Sequence, residues 1–266
     1  MNHIISKKNR ILLSELVRTD FKLRYQGSVL GYAWSLLRPL MLFFILYVVF
    51  VKFLKLGGSI PHYPIYLLLG IVLWSFFAEM TSLSLGSIVG RGDLIRKIRI
   101  PRWIIVLSSS VTALINLGLN LIVVFVFLLI NQVDIMKSIS LLPLILAQLY
   151  LFSLGISLIL ATAFVKYRDV THIWEVALQG LFYLTPVLYP LSLVTNQSFQ
   201  KILMISPIAT AVQDARYVVV TNESLTIGSV FESNFARFIP YLITLFVLFI
   251  GVFYFKNQSE NFAEDL

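Results

Sequence analysis

Residues 103–133 read WIIVLSSSVTALINLGLNLIVVFVFLLINQV. No charged side chain interrupts this stretch, and it exceeds the roughly 20 residues that an α-helix needs to cross the hydrocarbon core of a bilayer. In lipid a helix satisfies its backbone amides within the segment itself, whereas an irregular chain leaves them unpaired. The stretch therefore predicts a transmembrane helix that is long enough to be tilted or to end in an interfacial turn.

The composition extends this prediction to the whole chain. Of the 266 residues, 58% are hydrophobic and 13% are charged, whereas a soluble domain has about a quarter charged residues. The length allows about six or seven crossings with short loops, and it leaves no room for a soluble catalytic domain. We therefore expect one all-α integral membrane domain over residues 1–266. Cysteine is absent, which excludes disulfides and thiolate metal sites.

Uncharged stretches bounded by charges predict six transmembrane helices. They are residues 39–51, 63–78, 103–133, 138–165, 176–200 and 238–255. The first is long enough if it is extended to include Arg38, whose side chain would reach the membrane surface. Pro186 and Pro190 interrupt the fifth, and the apolar piece 202–212 that follows is too short to cross. We expect an external, partly re-entrant region over residues 188–236, with a plain external loop as the alternative.

The distribution of positive charge predicts the orientation. Under this topology fifteen Lys and Arg residues lie on the side of the N-terminus and six lie on the other side. Cytoplasmic loops carry the excess of Lys and Arg, so the N-terminus is expected in the cytoplasm. An even number of crossings places the C-terminus there as well.

The N-terminal arm predicts an amphipathic helix on the membrane surface. On a helical wheel its apolar and polar residues fall on opposite arcs, namely Leu13, Leu16, Val17, Phe21 and Leu23 against Glu15, Arg18, Thr19 and Lys22. Asp20 and Arg24 interrupt the apolar arc, but their i,i+4 spacing would let them neutralise each other. A basic anchor that only binds anionic lipid is the alternative interpretation.

A second feature is the basic loop at residues 90–102, GRGDLIRKIRIPR. Asp93 is suited to cap a short helix, and one face of that helix would be apolar through Leu94, Ile95 and Ile98. An apolar stripe on a helix outside the membrane needs a surface to cover it. This pattern favours a docking element for another protein over a plain positively charged loop.

Motifs for chemistry are missing from the sequence. There is no G-x-x-x-x-G-K-[ST], H-E-x-x-H or G-x-S-x-G, and His3, His62 and His172 are too scattered to suggest a metal site. The carboxylates Glu79 and Glu175 fall near span ends and do not form a pair at mid-membrane. We therefore expect no catalytic site, no bound metal and no cofactor on this chain.

The run at residues 20–39, DFKLRYQGSVLGYAWSLLRP, resembles the start of the first span in ABC-2 type permeases that export polysaccharides and teichoic acids. The resemblance continues through IPRW at 100–103, KYRD at 166–169, LTPVLY at 184–189 and SPI at 206–208, so it covers essentially the whole chain. It implies a homodimer in the bacterial cytoplasmic (inner) membrane that works with two copies of a separate ABC ATPase, which binds ATP and Mg²⁺. The implied substrate is a glycan linked to a polyprenyl diphosphate, such as an O-antigen.

The resemblance also implies roles for particular residues. Within residues 1–28, the stretch 13–25 resembles the gate helix, and the Leu-Gly turn after it marks where the lipid diphosphate would enter. The implied gate residues are Lys22, Arg24, Tyr25, Leu30, Gly31, Trp34 and Arg38. Arg38 departs from the family pattern, in which a neutral residue is frequent. Within residues 88–102 the implied ATPase-coupling residues are Asp93, Leu94, Ile95, Arg96, Lys97, Ile98 and Arg99.

Aromatic residues on the first and fifth predicted spans are candidates for a channel wall, because aromatic faces stack against sugar rings. They are Phe43, Phe44, Tyr47, Phe182, Tyr183 and Tyr189. Lipid-facing positions are the alternative for each of them.

Two other functions stay open at the level of sequence. One is an ABC-2 permease for a drug, a lipid or a small hydrophobic substrate. The other is an ion-coupled transporter or channel, which would require intramembrane ionisable residues or inverted repeats, and the sequence displays neither.

Overall fold

The structure is a computed structural model that describes residues 7–55, 60–97, 100–134 and 137–262, without the side chains of Tyr25 and Tyr32. In these residues the regular structure is entirely helical, which confirms the predicted all-α class. The helices are α1 Lys7–Tyr25, α2 Trp34–Tyr47, α3 Tyr63–Leu85, α4 Gly92–Lys97, α5 Trp103–Ile130, α6 Leu142–Lys166, α7 Val170–Leu184, α8 Gln197–Ile205, α9 Pro207–Val219, α10 Ile227–Phe231 and α11 Ile239–Ser259.

Five segments of the described chain are long and apolar enough to cross a membrane. They are Trp34–Phe53, Tyr63–Leu85, Trp103–Ile130, Lys137–Lys166 and Asn234–Ser259. The first combines α2 with the π-helical turn Val48–Phe53. These five correspond to predicted spans one to four and six.

The fifth predicted span is not one continuous helix. Helix α7 has 15 residues and ends at Leu184, after which Thr185 is extended, with φ −76° and ψ 135°. Pro186 explains this end, because proline disfavours helical backbone in the residue before it and donates no amide hydrogen. The sequence was therefore right about the interruption, and the structure ends the helix at Leu184, two residues before Pro186.

Helix α3 is the centre of the bundle. Most of its side chains are apolar, and 17 of its 23 residues are buried, as is typical of a helix enclosed by other helices. It packs against α2, α5, α6 and α9. By contrast, α5 and α11 expose apolar faces that suit contact with lipid, formed by Ile115, Leu119, Ile122, Phe125, Leu129, Leu242, Leu245, Phe246, Phe249 and Phe253.

Helices α6 and α11 approach each other closely at two glycines. A Cβ added at Gly155 would lie 2.8 Å from the Leu248 Cα, and one added at Gly251 would lie 2.5 Å from the Gly155 carbonyl oxygen. Small residues permit such backbone contact between membrane helices, which then gain dispersion energy along their length.

Gly251→Ala is therefore expected to lower the free energy of unfolding by about 1–3 kcal/mol, the usual cost of overfilling a tight contact. Thermal unfolding in detergent, followed by the fraction of monodisperse protein, would measure it. Gly118→Ala is the matched control, because Gly118 also lies within a span and a Cβ there meets nothing within 4 Å. Equal stability of the two variants would contradict the close α6–α11 contact.

Helix α9 is too short to cross a bilayer, yet almost all of it is buried against α3 and α6. Pro207 occupies its first turn, where a missing amide hydrogen costs nothing. Beside α9, residues Leu191, Met204, Ile227, Val230 and Ala236 form a small separate core.

Helix α1 lies along α5 with the polarity that the helical wheel predicts. Leu16 is buried, Leu13, Val17 and Phe21 are half-buried, and the polar arc is exposed. Leu23 differs from the prediction, since it is exposed near the C-terminal end of the helix.

Candidate functional site

Two ion pairs connect α1 to the rest of the bundle. The Asp20 carboxylate pairs with the Arg91 guanidinium, and the Arg24 guanidinium pairs with the Glu79 carboxylate. The sequence had suggested that Asp20 and Arg24 neutralise each other. In the structure each of them pairs instead with a residue of another element, because the inner face of α1 packs against the bundle.

The Asp20–Arg91 pair is supported by a hydroxyl group on α5. Arg91 Nη1 donates to Ser108 Oγ at 3.0 Å, and Ser108 Oγ lies 3.4 Å from Asp20 Oδ2. Arg91 directly precedes α4, the helix of the basic loop. The pair therefore joins α1 to the beginning of that loop.

The Arg24–Glu79 pair lies on α3, away from the end of that helix. Glu79 is six residues from the end of that helix, about 9 Å at 1.5 Å per residue. Asn116 Nδ2 donates to Glu79 Oε1 at 2.6 Å, and Asn120 Nδ2 donates to the Ser35 carbonyl at 3.2 Å. The sequence signal for this cluster was Glu79 directly after the uncharged stretch 63–78, with two asparagines at i,i+4 in the uncharged stretch 103–133.

The remaining gate residues lie between the last turn of α1 and the second turn of α2. Lys22, Leu30, Trp34 and Arg38 are exposed. Gly31 has φ +49°, a left-handed conformation that glycine adopts without steric cost, and so it allows the chain to turn from α1 into α2. Tyr25 has its backbone at the end of α1, and its side chain lies outside the description.

The basic loop differs from the expected open stripe. Helix α4 carries Asp93 in its first turn, and Asp93, Arg96 and Lys97 are exposed. Ile95 is buried in a core of this chain that also contains Ile88, Ile105, Val106, Phe255 and Phe262, while Leu94 is half-buried. Ile98 and Arg99 lie outside the described residues. Ile95 therefore holds the loop to its own bundle, because the C-terminal segment folds back over it.

The candidate channel aromatics occupy two helices and the segment after α7. Phe43 is buried and its ring lies 5.9 Å from that of Tyr47, whereas Phe44 is 66% exposed. The Phe182 ring lies 5.4 Å from that of Tyr183, which is 68% exposed. The Tyr189 hydroxyl donates to the Leu184 carbonyl at 3.2 Å.

The KYRD turn joins α6 to α7. The Arg168 guanidinium lies 5.2 Å from the centre of the Phe164 ring, and Asp169 is exposed. Arg168 therefore contacts the end of α6, the helix that precedes it in the chain.

Sequence reasoning missed Arg216 on α9, whose side chain is fully buried. Its Nε donates to the Tyr66 carbonyl at 3.0 Å, Nη1 to the Pro186 carbonyl at 2.5 Å and Nη2 to the Val187 carbonyl at 2.6 Å. The guanidinium also lies 3.6 Å from the centre of the Tyr66 ring, a cation–π contact.

The neighbourhood explains why an arginine is needed there. Backbone that leaves a helix within an apolar bundle has unpaired carbonyls, and a guanidinium offers five N–H donors to satisfy them. Gly70 makes the room, since a Cβ at that position would lie 2.3 Å from Arg216 Nη2. The sequence signal was an arginine four residues after the apolar piece 202–212, which follows the two prolines.

These features define an integral membrane protein: a helical bundle with five candidate spans in its described part, flanked by a charge-paired amphipathic helix and a basic loop. Residues 12–220 match the family model of the ABC-2 type transporter, and the chain belongs to this family.

Relatives resemble the chain over most of its length. An O-antigen export system permease protein, RfbA, of Klebsiella pneumoniae is 27% identical over 96% of this chain and 95% of its own length. The protein of the same description from Myxococcus xanthus is 31% identical over 73% of this chain and 74% of its own. The polysialic acid transport protein KpsM of Escherichia coli is 21% identical over 94% and 95% of the two chains.

Proposed function

We propose that this chain is the membrane-spanning permease subunit of an ATP-driven exporter that moves a polyprenyl-diphosphate-linked polysaccharide across the bacterial cytoplasmic membrane. The observation that carries the proposal is the similarity to O-antigen export permeases along 96% of the chain. The match to a polysialic acid transport protein widens the substrate class from O-antigens to surface polysaccharides in general.

The proposed assembly is a homodimer of this permease with two copies of a separate ABC ATPase. ATP and Mg²⁺ bind to the ATPase, and the permease holds no cofactor of its own. The exposed charges of α4, on Asp93, Arg96 and Lys97, are suited to contact the ATPase, with the half-buried Leu94 beside them.

We further propose six crossings, with both termini in the cytoplasm. Helix α7, about 22 Å long, and the six residues 185–190, which span up to about 20 Å when extended, suffice together to cross a hydrocarbon core of about 30 Å. Helices α8 and α9 then form the external re-entrant region. The burial of α9 against two spans supports this arrangement.

Cysteine labelling tests the topology. A cysteine at the exposed position Ser198 is expected to react with an impermeant thiol reagent applied from outside the cell, and one at the exposed position Asn257 is expected to react only after the membrane is opened. The native chain has no cysteine, so the parent protein gives no background. The reverse labelling pattern would contradict the orientation and the external position of α8 and α9.

The gate site is proposed to receive the lipid diphosphate beside α1. A diphosphate needs cationic donors where it leaves the aqueous face, and Lys22 and Arg24 provide them near the turn at Gly31. The aromatic side chains on α2, on α7 and at Tyr189 are proposed to line the path of the glycan, since aromatic faces stack on sugar rings.

Export in cells tests this function. Removing both charges, with Lys22→Gln and Arg24→Gln, is expected to reduce surface polysaccharide several-fold and to raise lipid-linked glycan inside the cell. The matched control is Lys7→Gln with Lys8→Gln, which removes the same charge from exposed positions at the other end of α1. Both quantities can be measured by blotting surface and membrane fractions.

Two results would contradict the proposal. Equal export by the double variant and its control would leave no role for the gate charges. Normal surface polysaccharide after deletion of this gene, with retention of a drug or small lipid inside the cell, would favour the small-substrate exporter.

A further inference from the structure

We propose that Glu79 competes with the anionic head group of the substrate for Arg24 and thereby sets the affinity of the gate site. The inference rests on the gate function proposed above and adds to it a residue that lowers affinity. Glu79 lies on α3 and belongs to none of the gate or coupling residues that the sequence indicated.

The competition follows from the chemistry of the pair. The planar guanidinium of Arg24 recognises oxyanions through N–H groups in a fixed fork, and carboxylates and phosphates fit the same fork. In the structure the Glu79 carboxylate forms an ion pair with the Arg24 guanidinium. A diphosphate that binds Arg24 through this fork must therefore displace a carboxylate already in place.

The surroundings of Glu79 explain how it can release the arginine. A carboxylate left without a partner within a span is costly. Asn116, which is almost fully buried, donates Nδ2 to Glu79 Oε1 at 2.6 Å and keeps one charge-assisted hydrogen bond after Arg24 has left. The other amide atom, Asn116 Oδ1, is buried and has no hydrogen-bond partner among the described residues. The hydrogen bond to Glu79 is therefore the contact that holds this side chain in its orientation.

The second ion pair of α1 provides an internal comparison. Asp20 also pairs with an arginine, but that arginine is Arg91 and precedes α4, and Ser108 contacts both partners. Loss of the Asp20 charge would loosen α1 without releasing Arg24. Asp20→Asn therefore serves as a control: it loosens α1 but leaves Arg24 paired with Glu79, whereas Glu79→Gln removes the carboxylate from Arg24.

Binding of a defined lipid tests the competition. The purified full chain, in nanodiscs of neutral lipid, would be titrated with geranylgeranyl diphosphate, with geranylgeraniol as the uncharged comparison and inorganic pyrophosphate as the lipid-free one. Glu79→Gln keeps an oxygen that accepts from Asn116, so the fold is preserved. It is expected to lower the Kd for the diphosphate about tenfold, equivalent to about 1.4 kcal/mol.

The same titration separates the mechanism from its alternatives. Arg24→Gln is expected to weaken binding, and in its background Glu79→Gln is expected to change the Kd less than twofold. Asn116→Leu removes the donor that lets Glu79 release the arginine, so it is expected to weaken binding when Glu79 is present and to have no effect with Glu79→Gln. This second variant tests the proposal even where Glu79→Gln yields little protein.

The outcomes are distinct for the two proposals. Tightening for the lipid alone, or for pyrophosphate as well, supports the competition and identifies the lipid head group or free diphosphate as the ligand. Tightening that persists without Arg24, or that Asp20→Asn reproduces, overturns the competition. Binding through Arg24 that Glu79→Gln leaves unchanged overturns the competition and leaves the gate function intact. Failure of every variant to prefer the diphosphate over the alcohol overturns both.

Discussion

Replacing Arg216 by methionine should remove most of the folded protein. The change leaves the carbonyls of Pro186 and Val187 without their donors inside an apolar bundle, and it removes an additional donor from the Tyr66 carbonyl, which lies within α3. Each buried, unpaired group costs about 1–3 kcal/mol, so the two carbonyls together account for a loss of about 2–6 kcal/mol. Total stabilities are about 5–15 kcal/mol. The fraction of monodisperse protein after mild heating in detergent would measure the effect.

Two further variants define the cause of that loss. Gly70→Ala keeps the arginine but places a methyl group in its space, and it should destabilise the same region. Arg18→Met removes an exposed arginine from α1 and should change stability by less than about 0.5 kcal/mol. Wild-type stability of Arg216→Met would mean that water satisfies these carbonyls.

Reversing the charge of one partner in the Asp20–Arg91 pair should detach α1 from the basic loop. Asp20→Arg places two guanidinium groups beside Ser108, and both partners are mostly buried. Loss of one partner of a fully buried pair costs about 3–5 kcal/mol, and partial exposure reduces this to about 2–3 kcal/mol. Export and ATPase stimulation should both fall, and limited proteolysis should cleave α1 faster.

The double exchange, Asp20→Arg with Arg91→Asp, restores opposite charges and should recover most of the stability and export. The control pair is His172 and Glu175, two exposed side chains 4.0 Å apart, where Glu175→Lys should have little effect. A double exchange as impaired as the single one would show that the orientation of the pair matters more than its charge.

The spans were predictable because lipid imposes one simple requirement, a long uncharged helix. The uncharged stretch of α5 therefore located its span directly, and the prolines after α7 located the break. The length of α7 was overestimated because hydropathy reports apolar character, whereas Pro186 acts on backbone geometry.

The ion pairs and the hydrogen bonds of Arg216 were not predictable because the residues that they join are far apart in the chain. Glu79 and Arg24 are separated by 55 residues, and Arg216 and the Tyr66 carbonyl by 150. Helical periodicity indicates which side of a helix is apolar but not what covers that side. For this reason Ile95 was expected to face a partner and instead contacts the core of its own chain.

The contact between α6 and α11 has a consequence for biosynthesis. Helix α11 is translated well after α6, and Phe255 and Phe262 complete the core that holds Ile95 of the basic loop. Arg102, at the end of that loop, donates to the Ser259 carbonyl. When the first four spans have left the ribosome, the core around Ile95 therefore still lacks Phe255 and Phe262. It is completed once the last span has been inserted. A nascent chain stalled before α11 would present the loop without the backing that fixes its shape.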